Sequence, residues 1–427
     1  MNEIEAVGAE VLMQQPPPQH GPVGKERPWL FGLLIAPSAV LMNGVIQGGV
    51  LAYLLSVQGI GSGRQSRLIF LLCLPTWLYF LWSPITDFFI RRRTWALLGG
   101  VLAAFSMAFA FHLGNLSSAL SLTVMLLSAC CSQLVVSSCG GMMGAMPRER
   151  DRRVASSFYQ AGSMGFGALA AWVLIWLSSR ASRDVLGMAA GLLIVIPALF
   201  ALAAPSHEIS VGTLGETMRR VWGECKSTFF RWEALPYTAC MVFPMGSGAA
   251  ITLLPGVARQ FSVSGDNVAW MNGLAGGILV AAGSAAAAIL PTRVRAATMY
   301  MIVTLVNCVT LCVLWLGPLR PSTYYLGVTL YLFTIGTCYA VFTAVVLEFL
   351  GHSGKSGSGR YSIINSLGNV PVQYMLLLDG WGGDRWGGRG LAGTEAVVGA
   401  IGAVVLLAYF VTRKQSGANG GGVGSEP

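Results

Sequence analysis

The chain has 427 residues, 54% hydrophobic and 11% charged, a balance too apolar for a soluble domain of this size. Its net charge of +9 does not mark a nucleic-acid binder, because the basic residues fall between apolar runs and not on one soluble face. What remains is an integral membrane protein built of helices, the form in which long apolar runs satisfy their own backbone groups in lipid.

Residues 1–28 are polar, include Pro16, Pro17 and Pro18, and show no secretory signal; they read as an N-terminal tail. At about 20 residues per crossing, twelve spans follow: 29–57, 68–90, 94–113, 118–146, 154–178, 185–204, 235–257, 268–290, 296–317, 324–350, 361–380 and 391–411. The first carries Asn43 and Gln47, four apart and so on one helical face, beside the small pair Gly44 and Gly48. The second ends in Asp87, with Arg91, Arg92 and Arg93 behind it. An acid at the edge of hydrocarbon needs compensation, so this stretch is a functional candidate. Span three ends in His112, span four carries Gln133 with the small pair Gly140 and Gly144, and span five carries Tyr159 and Gln160.

The longest internal polar stretch, 205–234, separates a first six-helix bundle, 29–204, from a second, 235–412. Within it Met218, Val221, Trp222 and Cys225 fall at helical spacing, which fits either a surface helix or a plain tether. The second bundle carries Ser247 on span seven, Asn272 on span eight, Cys308 and Cys312 on span nine, and Tyr339 and Glu348 on span ten. The two cysteines read as small packing residues. Span eleven carries Asn365, Asn369 and Gln373 at every fourth position, with Pro371 among them. Asp379 and Glu395 flank the next gap; with Glu348 and His112 they read as interfacial groups. Residues 413–427, rich in Gly and Ser, read as a disordered tail.

Alternate gaps hold 19 of the 27 Lys and Arg residues, which places both termini in the cytoplasm. The halves also echo one another at an offset of 202 residues. Gln58, Ser62 and Gly63 align near Gln260, Ser264 and Gly265, and Arg91 and Arg93 fall on Arg293 and Arg295. Such repeats are how many secondary transporters are built. The second half keeps the arginines but has Ile289 where Asp87 stands in the first.

The stretch Leu74, Pro75, Thr76, Trp77, then Leu81, Trp82, Ser83, Pro84, Asp87 and Arg91–Arg93, resembles the second helix and loop of AmpG-like permeases. These form a branch of the major facilitator superfamily with muropeptide permeases, acetyl-CoA transporters and some siderophore permeases. Residues 359–371 resemble that branch's eleventh helix, and Asp379, Gly380, Trp381, Asp384, Arg385, Trp386 and Gly387 resemble its exit. The general loop motif of the superfamily reads G-x-x-x-D-[RK]-x-G-[RK]-[RK]. Here Ser83, Phe88 and Ile90 replace its first glycine, first basic residue and second glycine. The resemblance implies a fold of twelve helices in two pseudo-symmetric bundles and a cytoplasmic gate at Asp87 and Arg91–Arg93. It also implies a central cavity lined by the first helix of each three-helix unit, and proton symport. Glu348 and Asp379 are the candidates for the proton.

A cavity line can be drawn through Asn43, Gln47, Gln133, Tyr159, Gln160, Ser247, Asn272, Tyr339, Asn365, Asn369 and Gln373. The other reading of these polar groups is hydrogen bonding between helices, worth about 1 kcal/mol each. No Lys or Arg stands in the middle of a span, which favours a neutral or weakly charged solute over a polyanion. Trp77, Trp82 and Trp270 are available to stack on rings or to anchor the interface. No cofactor or metal is expected. A membrane enzyme acting on lipid-linked or acyl substrates is the alternative, but His20, His112, His207 and His352 pair with no acid in a recognisable motif. The expected partners are a small solute, the bilayer and protons, with the protein acting as a monomer.

Overall fold

Apolar runs with no water to bond their amides fold as helices, and no strand forms among the described residues. The computed structural model describes residues 27–79, 83–146, 148–204, 234–291, 293–352 and 366–419, with scattered positions from 215 to 229. Nine helices among them are long and apolar enough to cross a membrane. In chain order the elements are α1 (Leu30–Val57), α2 (Ser62–Trp77), α3 (Arg92–His112), α4 (Ala119–Gly144), α5 (Glu149–Ser178) and α6 (Arg183–Ala203). After residue 204 come α7 (Leu235–Val242), α8 (Ala249–Val257), α9 (Gly265–Ile289), α10 (Ala296–Leu316), α11 (Pro321–His352) and α12 (Val370–Asn419).

Three helices begin on serine caps. Ser118 accepts the Ser121 amide at 3.2 Å, Ser182 that of Val185 at 3.4 Å and Ser264 that of Asn267 at 3.5 Å, each meeting one orphan donor of a first turn. Two spans are broken where the sequence concentrates small residues. Within α1 a π-helix runs over Ala39–Ile46, and Gly49 then takes φ +88°, a conformation that favours glycine. Between α7 and α8, residues 243–248 are non-helical.

Helix α3 packs on α4 and α6, and α1 on α5; later in the chain, α10 packs on α11 and α12, and α9 on α11. The two sets meet where α2 lies on α12, α8 on α1, and α9 on α5. Gly44 supplies a close approach, its missing side chain making room for Ala170 of α5, whereas Gly144 faces open space. Gly48 meets only the backbone of its own helix, so of the two small-residue pairs Gly44 alone makes a close helix contact.

Two segments depart from expectation. Helix α2 starts at Ser62, earlier than predicted, and stops at Trp77; a 3-10 turn follows at Ser83–Asp87. The predicted gap 381–390 is mostly helical. Helix α12 runs without break to a turn at Trp386 and Gly387 (φ 64°), then continues to Asn419, past the expected start of the tail. Glycine is compatible with a membrane helix, because it lets a neighbouring backbone come close. Gly382 lies against Gly390 and Thr394 across this turn, so α12 is a helical hairpin with two packed arms. In the 205–234 stretch, helical backbone is described only at isolated positions such as Trp222 and Lys226, and Phe229 packs on Phe349 at 5.8 Å.

Candidate functional site

Polar side chains gather along one line through the molecule. Asn43, in the π-helical turn of α1, donates to the Ser163 hydroxyl at 2.9 Å and the Ser163 carbonyl at 3.3 Å on α5. One turn further, Gln47 reaches the Cys73 sulfur of α2 at 3.5 Å. Gln373 of α12 also lies against Cys73. Gln47, Cys73 and Gln373 thus form a column joining α1, α2 and the first arm of α12. Gln373 is 2% exposed, and beyond its contact with Cys73 its amide has no hydrogen-bond partner among the described residues. A buried amide left unsatisfied costs about 1–3 kcal/mol, so this one is a strong candidate for meeting a ligand. Gln133 of α4 donates to Thr76 of α2 at 3.0 Å, on the same side of the molecule.

The second half holds a different centre. Asp379 and Glu395 were expected near an interface, and the structure corrects this: they are 0% and 4% exposed. The reason is the hairpin. With no loop at 381–390, Asp379 stands seven residues before the turn and Glu395 eight after it, so the two meet across the arms. Glu395 accepts from the Ser247 hydroxyl at 3.0 Å, the Tyr331 hydroxyl at 3.0 Å and the Ala250 amide at 2.6 Å. Tyr339 donates to the Ser247 carbonyl at 3.5 Å. Ser247 and Tyr339, expected in an uncharged pocket, therefore surround a carboxyl group.

The other expected residues scatter. Tyr159 is half-buried beside the cluster of Leu30, Phe31 and Ala155, while Gln160 is exposed. Asn272 donates to Tyr324 at 2.9 Å and to the Val268 carbonyl at 3.2 Å. Asn369 is half-buried, and Asn365 lies outside the described residues. Glu348 accepts from Tyr237 at 3.1 Å near the end of α11. His112 meets Asp184 at 2.7 Å, both exposed. Asp87 ends its 3-10 turn, and its side chain lies outside the described ones. Behind it Arg92 covers Gly141 of α4, Arg91 is exposed and Arg93 half-buried. Phe89 takes φ 69° in that loop, one residue from the position where the general motif has a glycine.

Sequence reasoning missed Cys73, Ser163, Thr76, Tyr331 and the depth of Glu395. A signal for the last was present: apolar and small residues flank Glu395 on both sides, from Leu391 to Ala403.

Two contacts tie the halves together at one end. Arg180, beyond the end of α5, pairs with Asp266 of α9 through two bonds of 2.6 and 2.8 Å. The Gly63 amide at the start of α2 donates to Asp384 of α12 at 2.8 Å.

Residues 33–372 match the Major Facilitator Superfamily. The chain belongs to this superfamily. It is a multi-pass membrane transporter and not an enzyme. A point mutant of the nucleoside transporter NupG shares the fold at a TM-score of 0.69 with 14% identity, over 90% of this chain and 99% of that one. A peptide transporter, POT, solved in complex with sulfate, gives 0.67 and 13% over 92% and 96%. A D-xylose-proton symporter gives 0.64 and 12% over 89% and 95%. At these identities the likeness establishes the fold. No curated protein sequence matches the chain.

Proposed function

We propose that this facilitator moves a neutral or weakly charged, hydrogen-bonding organic solute across the cytoplasmic membrane by alternating access. Twelve crossings make two rocking halves, 29–204 and 235–412, with both termini in the cytoplasm. The broken α7–α8 supplies one crossing and the α12 hairpin two. The observation that carries the reading is the column of Gln47, Cys73 and Gln373, which lies where the halves meet and ends in a buried amide with no partner beyond Cys73 among the described residues. Asn43 and Gln133 extend the same polar line.

With that orientation, the Arg180–Asp266 pair and the Gly63–Asp384 bond stand at the outer end, so this conformation is closed to the outside. Asp87 and Arg91–Arg93 stand at the opposite end, where we assign the cytoplasmic gate. The AmpG-like branch rests on the resemblance of residues 74–95 and 359–387, and with the buried amides it supports a sugar-containing muropeptide, an aromatic siderophore or a drug-like compound as the solute. Nucleosides, pentoses and short peptides belong in the same chemical range.

The test is a thermal-shift screen of the purified protein against nucleosides, pentoses, short peptides, muropeptides, siderophores and acyl-CoAs. A ligand at 100 times its dissociation constant stabilises by about 2.7 kcal/mol, which such a screen resolves. A neutral polar solute is expected to raise the midpoint, and Gln47→Ala to abolish the rise. A midpoint raised by acyl-CoA alone would overturn the assignment of substrate class.

A further inference from the structure

Asp379 and Glu395 share a buried site but have unequal surroundings. Glu395 has three donors aimed at it: two hydroxyls, and the Ala250 amide in the first turn of α8, where a helix presents unsatisfied N–H groups. A carboxylate so served is stabilised as an anion. Asp379 lies against Glu395, and no other donor among the described residues reaches either of its oxygens. The other titratable groups facing the pair are Tyr331 and Tyr339 of α11, Cys338 of α11 and Cys308 of α10. None of these brings a positive charge. The arginines nearest in sequence are engaged elsewhere: Arg385 lies over the Trp381 ring at 4.7 Å, and Arg389 donates to the Gly317 carbonyl at 2.6 and 3.0 Å.

Two buried carboxylates in contact, with no cation between them, are among the costliest arrangements a protein can hold. A single proton removes the conflict. Bound to an oxygen of Asp379, it makes that group a neutral acid with one O–H, and the O–H donates to Glu395. The contact between two acceptors becomes a hydrogen bond. On release the O–H bond breaks and the proton passes to water.

We propose that Asp379 and Glu395 form a proton-binding pair in which Asp379 carries the proton and Glu395, the carboxylate, clamps the broken helix α7–α8 through Ser247 and Ala250. The break it holds is set for movement. Residues 243–248 are non-helical, and Gly246 and Gly248 take φ +52° and +70°. Loss of the proton leaves two charges in contact, which pushes Glu395 off its donors and frees α8. Helix α8 packs on α1, whose π-turn holds Asn43, so the clamp reaches the other half through one helix contact. This deepens the transport reading by naming its coupling ion; Asp379 becomes the proton carrier in preference to Glu348.

The test needs no substrate, so its failure is separable from failure of the transport reading. Infrared difference spectra of the full-length protein, titrated between neutral and alkaline pH, are expected to show the carbonyl band of a protonated carboxylic acid. Asp379→Asn should remove that band and Glu348→Gln should keep it. A band of full amplitude in Asp379→Asn, or none in the wild type, would overturn the proposal. Loss of the band on adding sodium chloride at fixed pH would mark a metal-cation site and also overturn it. Thermal midpoints give a second readout that tolerates poor folding. Asp379→Asn, an amide in place of a neutral acid, should keep the neutral-pH midpoint. Glu395→Gln should lower it, because its NH2 faces donors. The reverse pattern would place the proton on Glu395.

Discussion

Replacing Gly380 by leucine is expected to lower the thermal midpoint sharply and to force α12 away from the Ser62 end of α2. Even one methyl group at Gly380 would collide with the Ser66 side chain and crowd the Ser62 carbonyl. Overpacking of this kind costs about 1–3 kcal/mol, and here the strained surface is the one on which the halves close. The neighbouring Gly383 also lies against the Ser62 side chain, which leaves the backbone of α12 little room to give way. The expected result is a protein that inserts normally but melts earlier and favours the outward-open form. A leucine variant with the wild-type midpoint, measured by tryptophan fluorescence, would show that α2 and α12 do not meet as described.

The opposite sign is expected at Gln373. Leucine there removes a buried amide that has only the Cys73 thiol beside it among the described residues, and Leu has nearly the shape of Gln. Relief of that desolvation penalty should stabilise the unliganded protein by about 1–3 kcal/mol. The same change removes the group that, in this account, meets the solute. Gln373→Leu should therefore raise the midpoint while weakening the ligand-induced shift at least tenfold in concentration. If Gln373→Leu instead destabilises the protein, the amide has a structural partner, and the column of Gln47, Cys73 and Gln373 is packing.

Much of this was legible in the sequence. Long apolar runs and the 205–234 stretch outline the helical segments, and the four-residue spacing of Asn43 and Gln47 puts both on the face that meets α2 and α5. Period and hydropathy carry such features because lipid leaves the backbone no alternative. What was not legible depends on backbone detail. The π-helical turn of α1 has no composition of its own. The run from Gly380 to Gly390 looks like a loop by glycine content, yet its glycines serve the close approach of two helical arms. Once the turn is placed at Trp386 and Gly387, the pairing of Asp379 with Glu395 follows from their near-equal distances to it. A boundary error of a few residues thus turned two buried acids into interfacial ones. The residues of the expected cavity show the same limit. A polar side chain in a span has to find a partner, and the sequence does not say whether that partner is a helix, as for Asn272 and Tyr324, or a solute.

Alternating access is tested most directly by labelling a single cysteine at Asn43, in a variant lacking the native cysteines, with a membrane-impermeant thiol reagent in proteoliposomes. The account predicts modification from each side of the bilayer in turn, with the inner rate rising and the outer rate falling when Asp87→Asn weakens the cytoplasmic gate. A cysteine at Asn43 that reacts from neither side, or from one side only under every condition, would contradict it.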